Sequence, residues 1–151
     1  MTTNNERTIS SITHLSAFAQ YIFPFGNFIA PIIIWNIKKD ESQFVDYNGK
    51  QILNFQLSVF LYSLILIAIS VPLLIYGFVD ILSTNYSLTN FDIDFNGFHN
   101  HKITTVIAIA IVAFLFFILL KIFEFILIIL VAVKASNGEY YKYPLTIPFF
   151  K

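Results

Sequence analysis

The chain has no cysteine, which excludes disulfides, a thiolate nucleophile and any Cys-ligated metal or cluster. Charge is scarce: 12% of its 151 residues are Asp, Glu, Lys or Arg, against roughly 25% in an ordinary soluble domain. Nine basic residues balance nine acidic ones, so there is no basic footprint for nucleic acid. Neither G-x-x-x-x-G-K-[ST] nor G-x-G-x-x-G occurs, which removes the usual sequence basis for nucleotide binding. No lysine-rich region opens MTTNNERTISSITHL, and "AFA" at 17–19 precedes the first apolar run instead of following it. That run is therefore expected to be retained, not cleaved as a signal peptide.

What the chain does have is apolar surface. Hydrophobic residues make up 57% and aromatic residues 18%, and mean hydropathy is +0.73. A soluble domain of this length has too little interior to hide that much. The composition predicts one all-α membrane domain with no β core. Three stretches reach the roughly 20 helical residues needed to cross a bilayer: about 15–37, 52–79 and 103–133. They predict a small bundle of three transmembrane helices, with an extramembrane insert at 80–102 and a tail at 134–151.

The first stretch contains Pro24, Gly26, Asn27 and Pro31, so a straight helix is not expected. It is either one kinked span, the preferred reading, or two short helices folded as a re-entrant hairpin. Pro72 is expected to bend the second span. The third is expected to be one long tilted helix, with a break at the charged KIFE of 121–124 as the alternative. Lys38, Lys39, Lys50, Lys134, Lys142 and Lys151 flank one side of these spans, against Arg7 and Lys102 on the other. The positive-inside rule then places loop 38–51 and the C-terminus in the cytoplasm. A kinked first span puts the N-terminus outside, whereas a re-entrant hairpin brings it inside.

The polar stretch KKDESQFVDYNGKQILNFQ, 38–56, reads as that short cytoplasmic loop. Asp-Glu-Ser there is suited to capping a short helix, and Asn48-Gly49 is a turn signal. Tyr47, Gln51, Asn54, Ser58 and Tyr62 fall within about 80° of one helical face, over about 22 Å. Polar groups at that depth need partners. The stripe serves either hydrogen bonding inside the bundle or a groove for a peptide or lipid headgroup. The tail NGEYYKYPLTIPFF either seals the cytoplasmic surface of the bundle or shares a docking surface with loop 38–51, beside Phe44 and Tyr47. The candidate interface residues are Asp40, Glu41, Asp46, Tyr47, Asn54, Asn137, Glu139, Tyr140 and Tyr141.

Three further features bear on chemistry. Lys121 and Glu124 share one face of the third helix; they are a structural or docking pair, a transport-coupling pair, or lie outside the hydrocarbon. In FDIDFNGFHNH, an Asn96-Gly97 turn would align Asp92, Asp94, His99 and His101 on one face of a hairpin. Those four are the metal candidates, against the prevailing reading of a solvated or bilayer-resting loop. His14 lies near Ser10, Ser11 and Ser16 without an orienting acid, and reads as structural or interfacial. No catalytic residue and no cofactor is expected.

The block HLSAFAQYIFPFGNFIAPIIIWNIKKDESQFVDYNGKQILNFQLS and the ending AVKASNGEYYKYPLTIPF resemble a bacterial family of small, uncharacterised membrane proteins. That family is related to the twenty-kilodalton subunit of the chloroplast inner-envelope protein import translocon. The matching positions include Pro24, Gly26, Asn27, Asp46, Gly49, Gln56, Gly138, Tyr143 and Pro144. The resemblance implies a helical inner-membrane protein with a link to protein translocation, and it transfers no catalytic residue. The residues and the resemblance together predict a non-enzymatic subunit or accessory factor of a membrane complex. The alternative is a small oligomeric ion or solute transporter using Lys121 and Glu124. Expected partners are the lipid bilayer and either other membrane proteins or further copies of this chain, not nucleic acid.

Overall fold

A computed structural model describes residues 2–83 and 101–150, and every regular element among them is helical. In order these are α1 (Asn4–Leu15), a 3-10 helix (Ser16–Tyr21), α2 (Gly26–Lys38), α3 (Gln43–Ser83) and α4 (His101–Ser136). They fall into two compact units, one of Met1–Leu61 with Lys121–Lys151 and the other of Tyr62–Leu120.

Two helices among the described residues are long and apolar enough to cross a membrane, Gln43–Tyr76 and Ile107–Ser136. The three-span bundle expected from the sequence is thus corrected to two. The first predicted span, 15–37, fails because it is broken. Its 3-10 helix ends at Tyr21, and Phe25 takes a left-handed conformation (φ 60°) just after Pro24. Gly26 then starts α2 with its Cα pressed against the Ala19 carbonyl, where no Cβ fits. At 13 residues, α2 is about 20 Å long, short of the roughly 30 Å of hydrocarbon. Of the two readings of this stretch, the kinked span is overturned and two short helices are observed.

Loop 38–51 is also corrected. Only 39–42 lie outside helices, and α3 already runs through Asn48-Gly49. The Ser42 hydroxyl accepts the Phe44 N–H at 3.2 Å, an N-terminal cap, so the Asp-Glu-Ser segment caps α3 itself. Gly49 is needed inside the helix because the Trp35 indole lies where its Cβ would be. Pro72 sits within α3 without ending it. KIFE does not break α4, which is continuous.

The core of the first unit is built from Ile52, Leu53 and Phe55 of α3, Ile128, Val131 and Ala135 of α4, Ala17 and the tail residue Tyr143. Phe55 stacks on Tyr143 with ring centroids 4.2 Å apart. In the second unit an apolar groove runs between the two helices, lined by Leu66, Ser70 and Leu74 on one side and Ala110, Ala113 and Phe114 on the other. The Ser70 hydroxyl donates to the Leu66 carbonyl at 2.7 Å, which satisfies it within its own helix. The insert 80–102 lies largely outside the described residues, as do the metal candidates Asp92, Asp94 and His99; His101 opens α4.

Candidate functional site

The first unit carries a directional chain of buried hydrogen bonds. The Asn48 amide donates to the Phe44 carbonyl at 2.8 Å, which orients its oxygen towards His14. His14 Nε2 lies 2.9 Å from that oxygen and must be the protonated nitrogen. Nδ1 is then the acceptor for the Tyr143 hydroxyl at 3.0 Å. His14 is fully buried, and burial pushes its pKa down to about 4 against a smaller opposing effect of the Asn48 bond. The imidazole is neutral at physiological pH. Burial likewise raises the Tyr143 phenol well above its usual value. Three distant segments, α1, α3 and the tail, meet at this point.

Beyond Tyr143 the tail lies along α3. Asn54 and Ser58, both buried, take its main chain: Asn54 Oδ1 accepts the N–H of Phe149 (3.1 Å) and Phe150 (2.8 Å). The same amide donates to the Phe150 carbonyl at 2.9 Å. Ser58 Oγ accepts the Ile147 N–H at 2.8 Å and donates to the Asn54 carbonyl. Asn54 and Ser58 of the polar stripe seen in the sequence are therefore occupied by the tail. The stripe's first member, Tyr47, packs edge-on against Tyr140 at 5.0 Å, as does Phe44. Gln51 Oε1, on the same stripe, is buried without a partner.

The other interface candidates lie around this junction. Asp46 is half-buried and accepts from Trp35 Nε1 at 2.9 Å and from Lys50 at 2.7 Å. Asp40, Asn137 and Glu139 are exposed, and Tyr141 is half-buried. Glu139 pairs with Lys134 and Glu41 with Lys38. An open groove of about 600 Å³ is lined by Thr2, Glu6, Arg7, Glu41, Ser42, Gln43, Phe44, Gly138 and Tyr140. A hydrogen bond from Ser42, then one from the Thr3 backbone, hold the Glu6 carboxyl below its usual range. Gly138, at φ +80°, packs against Thr2 and Arg7, so the N-terminus and the tail share one side of this unit.

Glu124 is 1% exposed and bridges Lys121 (2.8 Å) and Gln20 (3.2 Å). Asn27 of α2 donates to Gln56 of α3 at 2.9 Å. Among the described residues no three His, Asp or Glu side chains converge as a metal site would require. Sequence reasoning missed the pairing of His14 with Asn48 and Tyr143, and of Gln20 with Glu124. These partners are 34, 129 and 104 residues apart, and no local spacing signals such contacts.

The chain matches the model of the Magnetosome magnetite crystal formation protein family (MamF/MmsF) over residues 5–150, and it belongs to that family. This overturns the resemblance to relatives of the chloroplast import translocon, and the link to protein translocation goes with it. No curated protein and no solved structure matches the chain. Family membership and two membrane-length apolar helices make it a membrane protein.

Proposed function

We propose, from membership of a family named for magnetite crystal formation, that this chain is a non-enzymatic accessory protein of the membrane in which such crystals form. The observation that carries this reading is the extent of the match, 5–150 of 151 residues, which takes in both units. A scaffolding role is supported by the way the polar side chains of the first unit engage one another. His14, the imidazole nearest the serines of α1, is bonded at both ring nitrogens and has no nitrogen left to activate a nucleophile.

The chemistry of the flanks supports a cytoplasmic location for α1, segment 39–42 and the tail. With the N-terminus beside Gly138, Arg7 joins the six lysines already counted on that side. Seven basic residues then face Lys102 alone across the membrane, a stronger bias than the sequence suggested.

The transporter alternative is weakened by Glu124, which is held on two sides by Lys121 and Gln20, as a packing pair would be. It predicts that Glu124→Gln abolishes flux while leaving insertion intact. The test of the main reading is rescue. Expressed in a magnetite-forming bacterium lacking its own member of the family, this chain should restore crystal formation. A stably inserted chain that leaves the crystals unchanged would count against a role in crystal formation.

A further inference from the structure

The distal tail is held in an unusual manner. All four of its bonds to Asn54 and Ser58 go to main-chain atoms of Ile147, Phe149 and Phe150, so α3 reads the tail's backbone. The tail's own side chains stay partly exposed there: Leu145 is 73% exposed, Phe149 48% and Phe150 39%, the last resting edge-on against Trp35 at 5.8 Å. Tyr143, by contrast, is buried and fixed by His14 and Phe55. Between the fixed and the lightly held parts stands Leu145 at φ 57°. A left-handed conformation is unfavourable for a residue with a Cβ, and strained hinges of this kind favour exchange of an element between protomers.

The groove cannot simply be vacated. Asn54 and Ser58 are buried in a helix that enters the membrane, where unpaired polar groups are costly. Whatever leaves must be replaced by something offering the same N–H and C=O groups. The segment known to fit is 147–150 itself, and a second copy supplies it. Gln51 Oε1, buried on the same stripe without a partner, is an acceptor still open to a further donor.

From this geometry we infer that residues 147–150 exchange between copies of this chain, each tail pivoting at Leu145 to lie in the Asn54–Ser58 groove of its neighbour. The inference goes beyond the accessory role in crystal formation and does not depend on it.

The lack of cysteine makes the test direct. Two full-length copies with different tags are co-expressed in membranes, one carrying Ser58→Cys and the other Ile147→Cys, and treated with a short bismaleimide. An adduct bearing both tags is expected, because neither copy can crosslink within itself at these positions. A control copy carrying both substitutions reports the internal contact. Internal crosslinking without any two-tag adduct overturns the inference. A second readout is independent of thiol geometry. Leu145→Gly removes the strain of the closed hinge and should lower co-purification of differently tagged copies about fivefold or more. Unchanged co-purification, or none with the native chain, also overturns it.

Discussion

His14 is buried without charge, and that has a thermodynamic consequence. Its pKa falls from 6.5 to about 4 on folding, so below pH 6.5 the unfolded chain binds a proton that the folded chain refuses. Stability contributed by the neutral ring is therefore fully present above pH 6.5 and is lost as pH falls towards 4, by up to about 3 kcal/mol. Thermal unfolding in detergent between pH 7 and 4 should show this slope, and His14→Gln should flatten it. Tyr143→Phe leaves His14 Nδ1 without its donor and should cost about 1–3 kcal/mol, measured in the same assay at pH 7. At the other polar pair, Lys121→Ala leaves the buried Glu124 side chain with Gln20 but without its ion-pair partner, whereas Glu124→Gln leaves an amide that Gln20 can still bond. Lys121→Ala should accordingly be the more destabilising of the two, and equal losses in the same assay would contradict this.

At the scale of elements, the two glycines of the packed interfaces behave differently from glycines in turns. A Cβ at Gly26 meets the Ala19 backbone, which cannot rotate away, while a Cβ at Gly49 meets the Trp35 side chain. Gly26→Ala should therefore cost more stability than Gly49→Ala, on the order of 1–3 kcal/mol for an overpacked site. Trp35 is the only tryptophan, so a shift of its emission in Gly49→Ala reports the displaced indole directly. These positions also show what was legible beforehand. The long apolar runs announced α3 and α4, and Ser42 announced a helix start. Asn48-Gly49 read as a turn because turn statistics are local, whereas its helical placement is decided by His14 and Trp35 packing from elsewhere in the chain. Hydropathy made 15–37 look like a span, since the count of apolar residues does not register the left-handed Phe25 that divides it. The aromatic tail was visible as an amphipathic segment, but its backbone bonds to Asn54 and Ser58 were not, because main-chain recognition leaves no sequence pattern.

For the whole molecule, the central claim is that two spans, not three, gather α1, segment 39–42 and the tail on one side of a membrane. Gly138 against Arg7 and Tyr143 against His14 join the tail to α1, and Tyr140 against Phe44 joins it to the start of α3, next to 39–42. A third crossing by residues 15–37 would separate α1 from Gly138 and Tyr143. The family role in crystal formation would then act through a single polar face whose parts are interlocked. Single cysteines at Asn5 and Asn137, both exposed, test this most directly through labelling with a membrane-impermeant maleimide in intact and permeabilised cells. Two spans predict that both positions are protected in intact cells and labelled together on permeabilisation. Labelling of Asn5→Cys in intact cells while Asn137→Cys stays protected would contradict the account.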